Sequence, residues 1–333
     1  MTAAREIRLK SRPNGRPVAD NFELASVELG APGAGEVQVK NLWMTVDPYM
    51  RGRMNDVQSY VPPFQLGKAM EGGAVGEVVA SNDPALKPGD LVQSNFGWRE
   101  GFNASASVVQ KLDPQGLPLQ AFLGAAGMPG LTAYAGLLRV AALKDGDIVF
   151  VSGAAGAVGS MVCQIAKAKG HTVIGSAGGA EKVAYLKSIG VDHAIDYKAQ
   201  RDLNGALAAA ASQGIDVYFD NVGGEHLEAA LNAARPFGRF ALCGAISMYN
   251  ATELPAGPRN LVQAVGKQLR LEGFIVSSHW NMMGDFHRDL AAWVKAGKVT
   301  WKETVFEGIE RAPDAFIGLF TGENLGKMLV KLT

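Results

Sequence analysis

The chain has 333 residues, 47% of them hydrophobic, enough to bury a large core and to divide into about two domains. Lys plus Arg and Asp plus Glu each number 32, so the net charge is zero and a broad basic surface for nucleic acid is not expected. No apolar run approaches the ~20 residues that cross a bilayer, and the opening MTAAREIRLKSRPNGRP lacks the apolar stretch of a secretory signal. Cys163 and Cys243 both stand in apolar surroundings and need not pair, so a reducing, cytoplasmic compartment is expected.

From Arg5 to about Pro118 the chain reads as short strands and turns. The runs are GEVQVKNLWM, GGAVGEVVAS, GDLVQSNFGW and FNASASVVQKL, punctuated irregularly by Gly, Pro and Asp. This pattern predicts an antiparallel, barrel-like domain. From about Leu119 to Val299 strands and helices alternate. The strands are predicted over Asp147–Ser152, His171–Ser176, His193–Asp196, Ile215–Asp220, Gly238–Cys243 and Arg270–Val276. Helices are expected over Glu181–Ile189, closed by Gly190, and over Glu225–Ala234. Apolar strands alternating with helices predict a doubly wound parallel sheet with right-handed crossovers, so the fold class is α/β. The tail from Trp301 holds one helix, APDAFIGLF, and one strand, GKMLVKL. It is too short to fold alone. The expected domains are therefore 1–118, completed by 301–333, and 119–300.

VSGAAGAVGS, Val151 to Ser160, joins the first of these parallel strands to the helix that follows. Its glycines, Gly153, Gly156 and Gly159, are spaced G-x-x-G-x-x-G. In a dinucleotide site the first glycine permits a tight turn, the second lets pyrophosphate approach the backbone, and the third lets helix pack on strand. The phosphates then meet a helix N-terminus, whose N–H groups and dipole favour negative charge. The bland alternative is a plain strand-to-helix turn, and the surrounding strand–helix alternation decides against it. The tip of the next strand, in HTVIGSAGGAEK, carries no acid to accept the ribose hydroxyls of NAD. Instead Ser176 lies at the tip and Lys182 in the first turn of the following helix, a small, donor-rich setting for a 2′-phosphate. The predicted cofactor is NADPH.

The segments VDPYMRGRM, GMPGLTAYAGL, AAGAVGS, GGAEKVAYLKSIG, FDNVGGE, CGAISMYNATELPAGP and NLGKMLVKL run in order from Val46 to Leu332. Together they resemble the zinc-free branch of the medium-chain dehydrogenase/reductases, in the group of the prostaglandin reductase/leukotriene B4 dehydrogenase enzymes and the NADPH-dependent curcumin reductases. The resemblance implies a GroES-like first domain, a Rossmann second domain with strand order 3-2-1-4-5-6, a site in the cleft between them, and a homodimer. It also implies cofactor contacts at Gly156, Ala157, Val158, Gly159, Lys182, Tyr197 and Asn221. Further contacts fall on Cys243, Gly244, Ala245, Ile246, Ser247, Met248 and Tyr249, on Phe274, Ile275 and Val276, and on Asn324. Two of these make sense on their own position. Tyr197 lies just past the third parallel strand, where a phenol could reach a 2′-phosphate or serve as an amphipathic core residue. Asn221 follows the fourth strand, on the edge where ligands bind in such sheets, unless NVGG is an ordinary turn.

Zinc-dependent relatives carry a cysteine and a histidine where this chain has Met44, in MTVD, and Met70, in AMEG. Two distant cysteines cannot build a four-cysteine structural zinc lobe either, and the five histidines show no ligand spacing, so no metal is expected. Without a Lewis acid, the substrate suited to the cofactor is one activated by its own conjugation, an α,β-unsaturated ketone or aldehyde. Hydride reaches the β-carbon, and the protein must stabilise the enolate oxygen. Tyr249, after the fifth strand, and Tyr49, in DPYMRG, are the expected catalytic residues, both with the alternative of amphipathic packing. Arg51 and Arg53 are read as structural, with an anionic substrate tail as the alternative. The rival activity is NADPH:quinone oxidoreduction. The rival of another class is a zeta-crystallin-like nucleotide-binding structural or RNA-associating protein, which the neutral charge balance disfavours.

Overall fold

The computed structural model describes residues 2–253 and 255–332. They form two compact units. One comprises the chain up to Leu123, Glu303–Asn324 and the residues from Met328 onward; the other comprises Gly124–Lys302 and Leu325–Lys327. The division thus falls after Leu123 and Lys302, and three residues of the tail side with the second unit.

The first unit begins with β1 (Thr2–Leu9) and β2 (Phe22–Leu29), an antiparallel pair in register from Thr2 against Leu29 to Leu9 against Phe22. Neither strand stands out in the sequence, because TAAREIRL and FELASVEL bury only three positions and one position respectively and alternate only weakly. β3 (Glu36–Thr45), the single-turn α1 (Met50–Arg53), β4 (Ala74–Ser81), β5 (Leu91–Ser94), β6 (Gly101–Ser105) and β7 (Gln110–Lys111) follow. The second unit supplies α2 (Met128–Ala135), β8 (Ile148–Val151), α3 (Ala157–Ala168), β9 (Thr172–Ala177), α4 (Ala180–Ser188), β10 (His193–Asp196), α5 (Leu203–Ala210), β11 (Ile215–Asp220) and α6 (Gly224–Ala233). It continues with β12 (Ala234–Leu242), α7 (Gln263–Gly266), β13 (Arg270–Gly273) and α8 (Met283–Lys295). The tail holds β14 (Glu303–Glu307), α9 (Ala312–Thr321) and β15 (Lys327–Lys331).

In the first unit a sheet runs β14-β15-β3-β4-β5-β7, with β6 paired to β3. Leu329 of β15 faces Thr45 of β3, so the tail strand extends the sheet built by the N-terminal strands. The fully buried Met44, Met50, Met54 and Met70 pack with Trp98 and with Phe316 of α9 in one apolar cluster. Met70 and Met44 are therefore core residues.

The second unit is a six-stranded parallel sheet in the order β10-β9-β8-β11-β12-β13. Numbered along the chain from β8, this is 3-2-1-4-5-6, a Rossmann sheet. IVFV in β8 and VYF in β11 read as continuous apolar runs because helices cover both faces of such a sheet. β12 starts earlier than its sequence predicts and bulges, with Phe237 in the left-handed region (φ 65°). β13 ends earlier, at Gly273, where the chain leaves the sheet for a 3-10 segment, Val276–Met282. Among the described residues no helix is long and apolar enough to cross a membrane.

Candidate functional site

The chain passes from β8 outward to β10, then returns to β11 on the other side of β8. Reversal of strand order opens a crevice outside the carboxyl ends of β8 and β11, the place where ligands bind in such sheets. The glycine loop lies there. Gly153 turns with φ 58°, in the left-handed region. A Cβ on Gly159 would overlap the Gly153 carbonyl and come within 2.8 Å of Ala154 Cα, so only glycine lets α3 start this close to its own loop. Gly156 is different. Its backbone is extended (φ −80°, ψ 177°), and a Cβ would meet only the Gly153 carbonyl, at 3.3 Å. Neither conformation nor packing demands glycine at that position; a ligand approaching the backbone would. α3 starts at Ala157 with no side-chain cap. Its first-turn N–H groups and dipole suit an anion, and Gly156, Ala157 and Val158 keep partial exposure. The loop therefore fits a pyrophosphate.

The end of β11 is tied to this loop. Asp220 Oδ1 accepts from the Ser152 hydroxyl (3.0 Å), the Tyr218 hydroxyl (2.7 Å), and the N–H groups of Val222 (2.9 Å) and Gly223 (2.8 Å). Burial raises the Asp220 pKa against the opposing pull of those donors. Asn221 donates through Nδ2 to the Ser152 carbonyl at 2.7 Å. The next loop hangs on this one, since Ile246 N donates to Asn221 O (3.2 Å) and the Ser247 hydroxyl to Val222 O (2.6 Å). Within that loop the Tyr249 hydroxyl accepts from Ala245 N–H at 3.3 Å and lies 3.0 Å from where a Gly244 Cβ would be. Burial, with Asp220 nearby, pushes the Cys243 thiol up to about 12, so it is no nucleophile at neutral pH. Phe274, Ile275 and Val276 follow β13, and Phe274 packs edge-to-face on Phe219.

At the tip of β9, Gly178, Gly179, Lys182 and Tyr197 come together, joined by Lys198. A Cβ on Gly178 would lie 2.9 Å from both Tyr197 Oη and Lys198 Cε. Asp196 Oδ1 closes the turn by accepting from Gly179 N (2.9 Å) and Lys198 N (3.0 Å). Burial first, and the Lys198 ammonium second, lower the Lys182 pKa. Two ammonium groups that repel one another, beside a phenol, fit a phosphate dianion. Lys198 is absent from the sequence-based set. Its place directly after Tyr197 in DYK was the available signal.

Ser176 differs from expectation. It is fully buried, and its hydroxyl meets His226 Nε2 at 3.0 Å instead of facing the tip. Asn324 belongs to the first unit. Two residues on, Gly326 belongs to the second and bridges Gly156, with Gly326 N donating to Ala155 O at 2.8 Å. In the sequence GKMLVKL shows only a strand and carries no sign of this contact with the glycine loop.

In the first unit Tyr49 directly precedes α1 and lines a cavity of about 660 Å³ with Arg53, Phe64, Glu71 and Arg99. Burial, with Asp47 adding to it, pushes the Tyr49 phenol well above its ordinary pKa, so it stays a donor. Arg51 is spent on Gly15 O and Asn55 Oδ1, and Arg53 on Glu71 (2.7 Å) and Pro62 O. Arg51 is therefore structural, whereas Arg53 keeps a place in the cavity wall. Among the described residues no group of three or more His, Cys, Asp or Glu is placed to hold a metal.

Residues 5–112 match a family described as the N-terminal domain of oxidoreductase, and residues 157–294 one described as zinc-binding dehydrogenase. The chain is 42% identical to the NADP(+)-dependent 2-alkenal reductase of Nicotiana tabacum, over 99% of this chain and 97% of that one. It is 44% identical to prostaglandin reductase 1 of Rattus norvegicus, over 99% and 100% respectively. The crystal structure of CurA from Vibrio vulnificus in complex with NADPH superposes with a TM-score of 0.94 at 41% identity, covering 99% of each chain.

Proposed function

The chain belongs to the zinc-independent branch of the medium-chain dehydrogenase/reductases, with the prostaglandin, 2-alkenal and curcumin reductases, and on that premise we propose which residues carry its chemistry. The protein is an NADP-dependent oxidoreductase that reduces the alkene double bond of α,β-unsaturated ketones and aldehydes. One observation carries the cofactor assignment: a tip where Tyr197 and Lys198 meet at Gly178, with Lys182 close enough to Lys198 for the two ammonium groups to repel.

Bound NADPH supplies the hydride that reaches the substrate β-carbon. Gly153, Gly156, Ala157, Val158 and Gly159 bind its pyrophosphate, and Lys182, Tyr197 and Lys198 its 2′-phosphate. Asn221, the loop Cys243–Tyr249, and Phe274–Val276 wall the crevice at the carboxyl ends of the strands. Tyr249 donates its phenolic proton toward the oxygen on which negative charge develops. A phenol O–H is the kind of donor that stabilises a developing oxyanion. Tyr49, held protonated by burial, orients the substrate. The α-carbon proton comes from water or a relay. Met44 and Met70, where zinc-dependent relatives carry ligands, are thioethers inside an apolar core. Zn²⁺ takes thiolate, imidazole and carboxylate, so this donor set supports zinc independence.

The protein works as a homodimer in the cytoplasm. β13 is an outer strand of the parallel sheet, and near it Val262 and Val265 are 74% and 77% exposed, an edge suited to a second copy. Free Cys163 and Cys243 suit a reducing compartment. The deciding experiment follows NADPH oxidation with a short enone, a long-chain enal, a 15-keto lipid and a quinone, and identifies the products. Saturated ketones or aldehydes support the assignment. Turnover of the quinone alone, or allylic alcohol as product, overturns it.

A further inference from the structure

Tyr197 is 38% exposed and must be held from below if its phenol is to stay at the tip. Two surfaces do this. One is the bare backbone of Gly178, against which Tyr197 Oη lies. The other is the imidazole of His226, whose ring meets the Tyr197 ring edge-to-face with centroids 5.2 Å apart and planes at 80°. His226 comes from the first turn of α6, the helix after β11, and is 5% exposed. Its Nε2 is fixed 3.0 Å from the Ser176 hydroxyl, and Ser176 lies on β9 directly beside Ile195 of β10. A buried aromatic ring is thus anchored to one strand of the tip and pressed against the residue that follows the other. Burial pushes its pKa down to about 4, so at neutral pH it adds no charge beneath Lys182 and Lys198.

We propose that His226 is a positioning residue for the cofactor 2′-phosphate: its ring, packed edge-to-face with Tyr197, holds the phenol over Gly178, near Lys198 and Lys182, and so strengthens the preference for the phosphorylated cofactor. The role rests on the assignment of this tip to the 2′-phosphate. It touches neither the pyrophosphate loop nor the substrate, so its loss should change discrimination between cofactors and leave the rest of nucleotide binding alone. Aromatic pairs of this kind are worth enough to change an affinity roughly two- to tenfold.

The test is calorimetric titration of the full chain with 2′,5′-ADP and with 5′-AMP, which present adenosine with and without the 2′-phosphate. Relative to the parent, His226→Ala should weaken 2′,5′-ADP about two- to tenfold and leave 5′-AMP unchanged. His226→Gln, which keeps a polar partner for Ser176 but lacks the ring, should do the same and serves if the alanine variant fails to fold. In a Tyr197→Ala background the His226 substitution should cost nothing further, because the ring then has no phenol to hold. A folded His226→Gln variant with undiminished preference for 2′,5′-ADP overturns the proposal and leaves the cofactor assignment standing. So does an equal loss with and without Tyr197. A parent protein that binds the two nucleotides alike overturns the assignment itself, and the proposal with it.

Discussion

Replacing Lys182 with Ala tests the cofactor site most directly. Without ligand, burial and the neighbouring Lys198 both oppose the charge on Lys182, as its lowered pKa records. A phosphate dianion relieves both penalties on arrival, and the half-buried setting screens the contact less than open solvent would. A charge-assisted contact of ~1.5–3 kcal/mol converts to roughly ten- to a hundredfold in affinity. Lys198 lies close enough to take over part of the role, so the single variant should fall near tenfold for NADPH. Lys182→Ala combined with Lys198→Ala should fall further. NADH lacks the 2′-phosphate and should bind each variant as it binds the parent. Dissociation constants for both cofactors, from quenching of protein fluorescence, make the comparison without turnover. Equal losses for NADPH and NADH would refute the assignment, as would tighter NADH binding by the parent protein.

Tyr249→Phe should lower single-turnover hydride transfer to an enone by up to ~10²–10³, the usual cost of one donor to a developing oxyanion, with NADPH affinity nearly intact. Tyr49→Phe should mainly raise the apparent Michaelis constant; the opposite pattern would reverse the two roles. Prolonged chelation should leave turnover and melting temperature unchanged, and stoichiometric zinc in the purified protein would contradict that. His226 also predicts a pH dependence. Its pKa in the folded protein, about 4, lies below the ordinary 6.5, so the unfolded chain binds more protons between those values and stability is lost as pH falls through that window. Between pH 7 and pH 5 urea denaturation should show a loss on the order of 2 kcal/mol in the parent that is missing in His226→Phe. Identical losses in both would exclude His226 as the source.

Much of this protein is written in local pattern. The parallel strands announce themselves because strands covered on both faces must be apolar throughout, and Gly153 and Gly159 are legible because a tight turn and a close helix start constrain the residue at each place. Met44 and Met70 read as non-ligands from side-chain chemistry alone. Tertiary structure decided how the side chains are used. Ser176 looks like a cofactor donor in sequence, yet strand pairing turns it inward and α6 brings His226 to meet it from 50 positions away. Lys198 joins Tyr197 at the tip of β9 only because β10 lies beside β9, and Gly326 reaches the glycine loop only because the tail returns to the second unit. Periodicity reports which face of an element is buried; it carries no record of which distant element will bury it. That depends on strand order and on the path of the helices between strands, and it fixed whether each polar side chain is turned into the core or left at the carboxyl edge of the sheet.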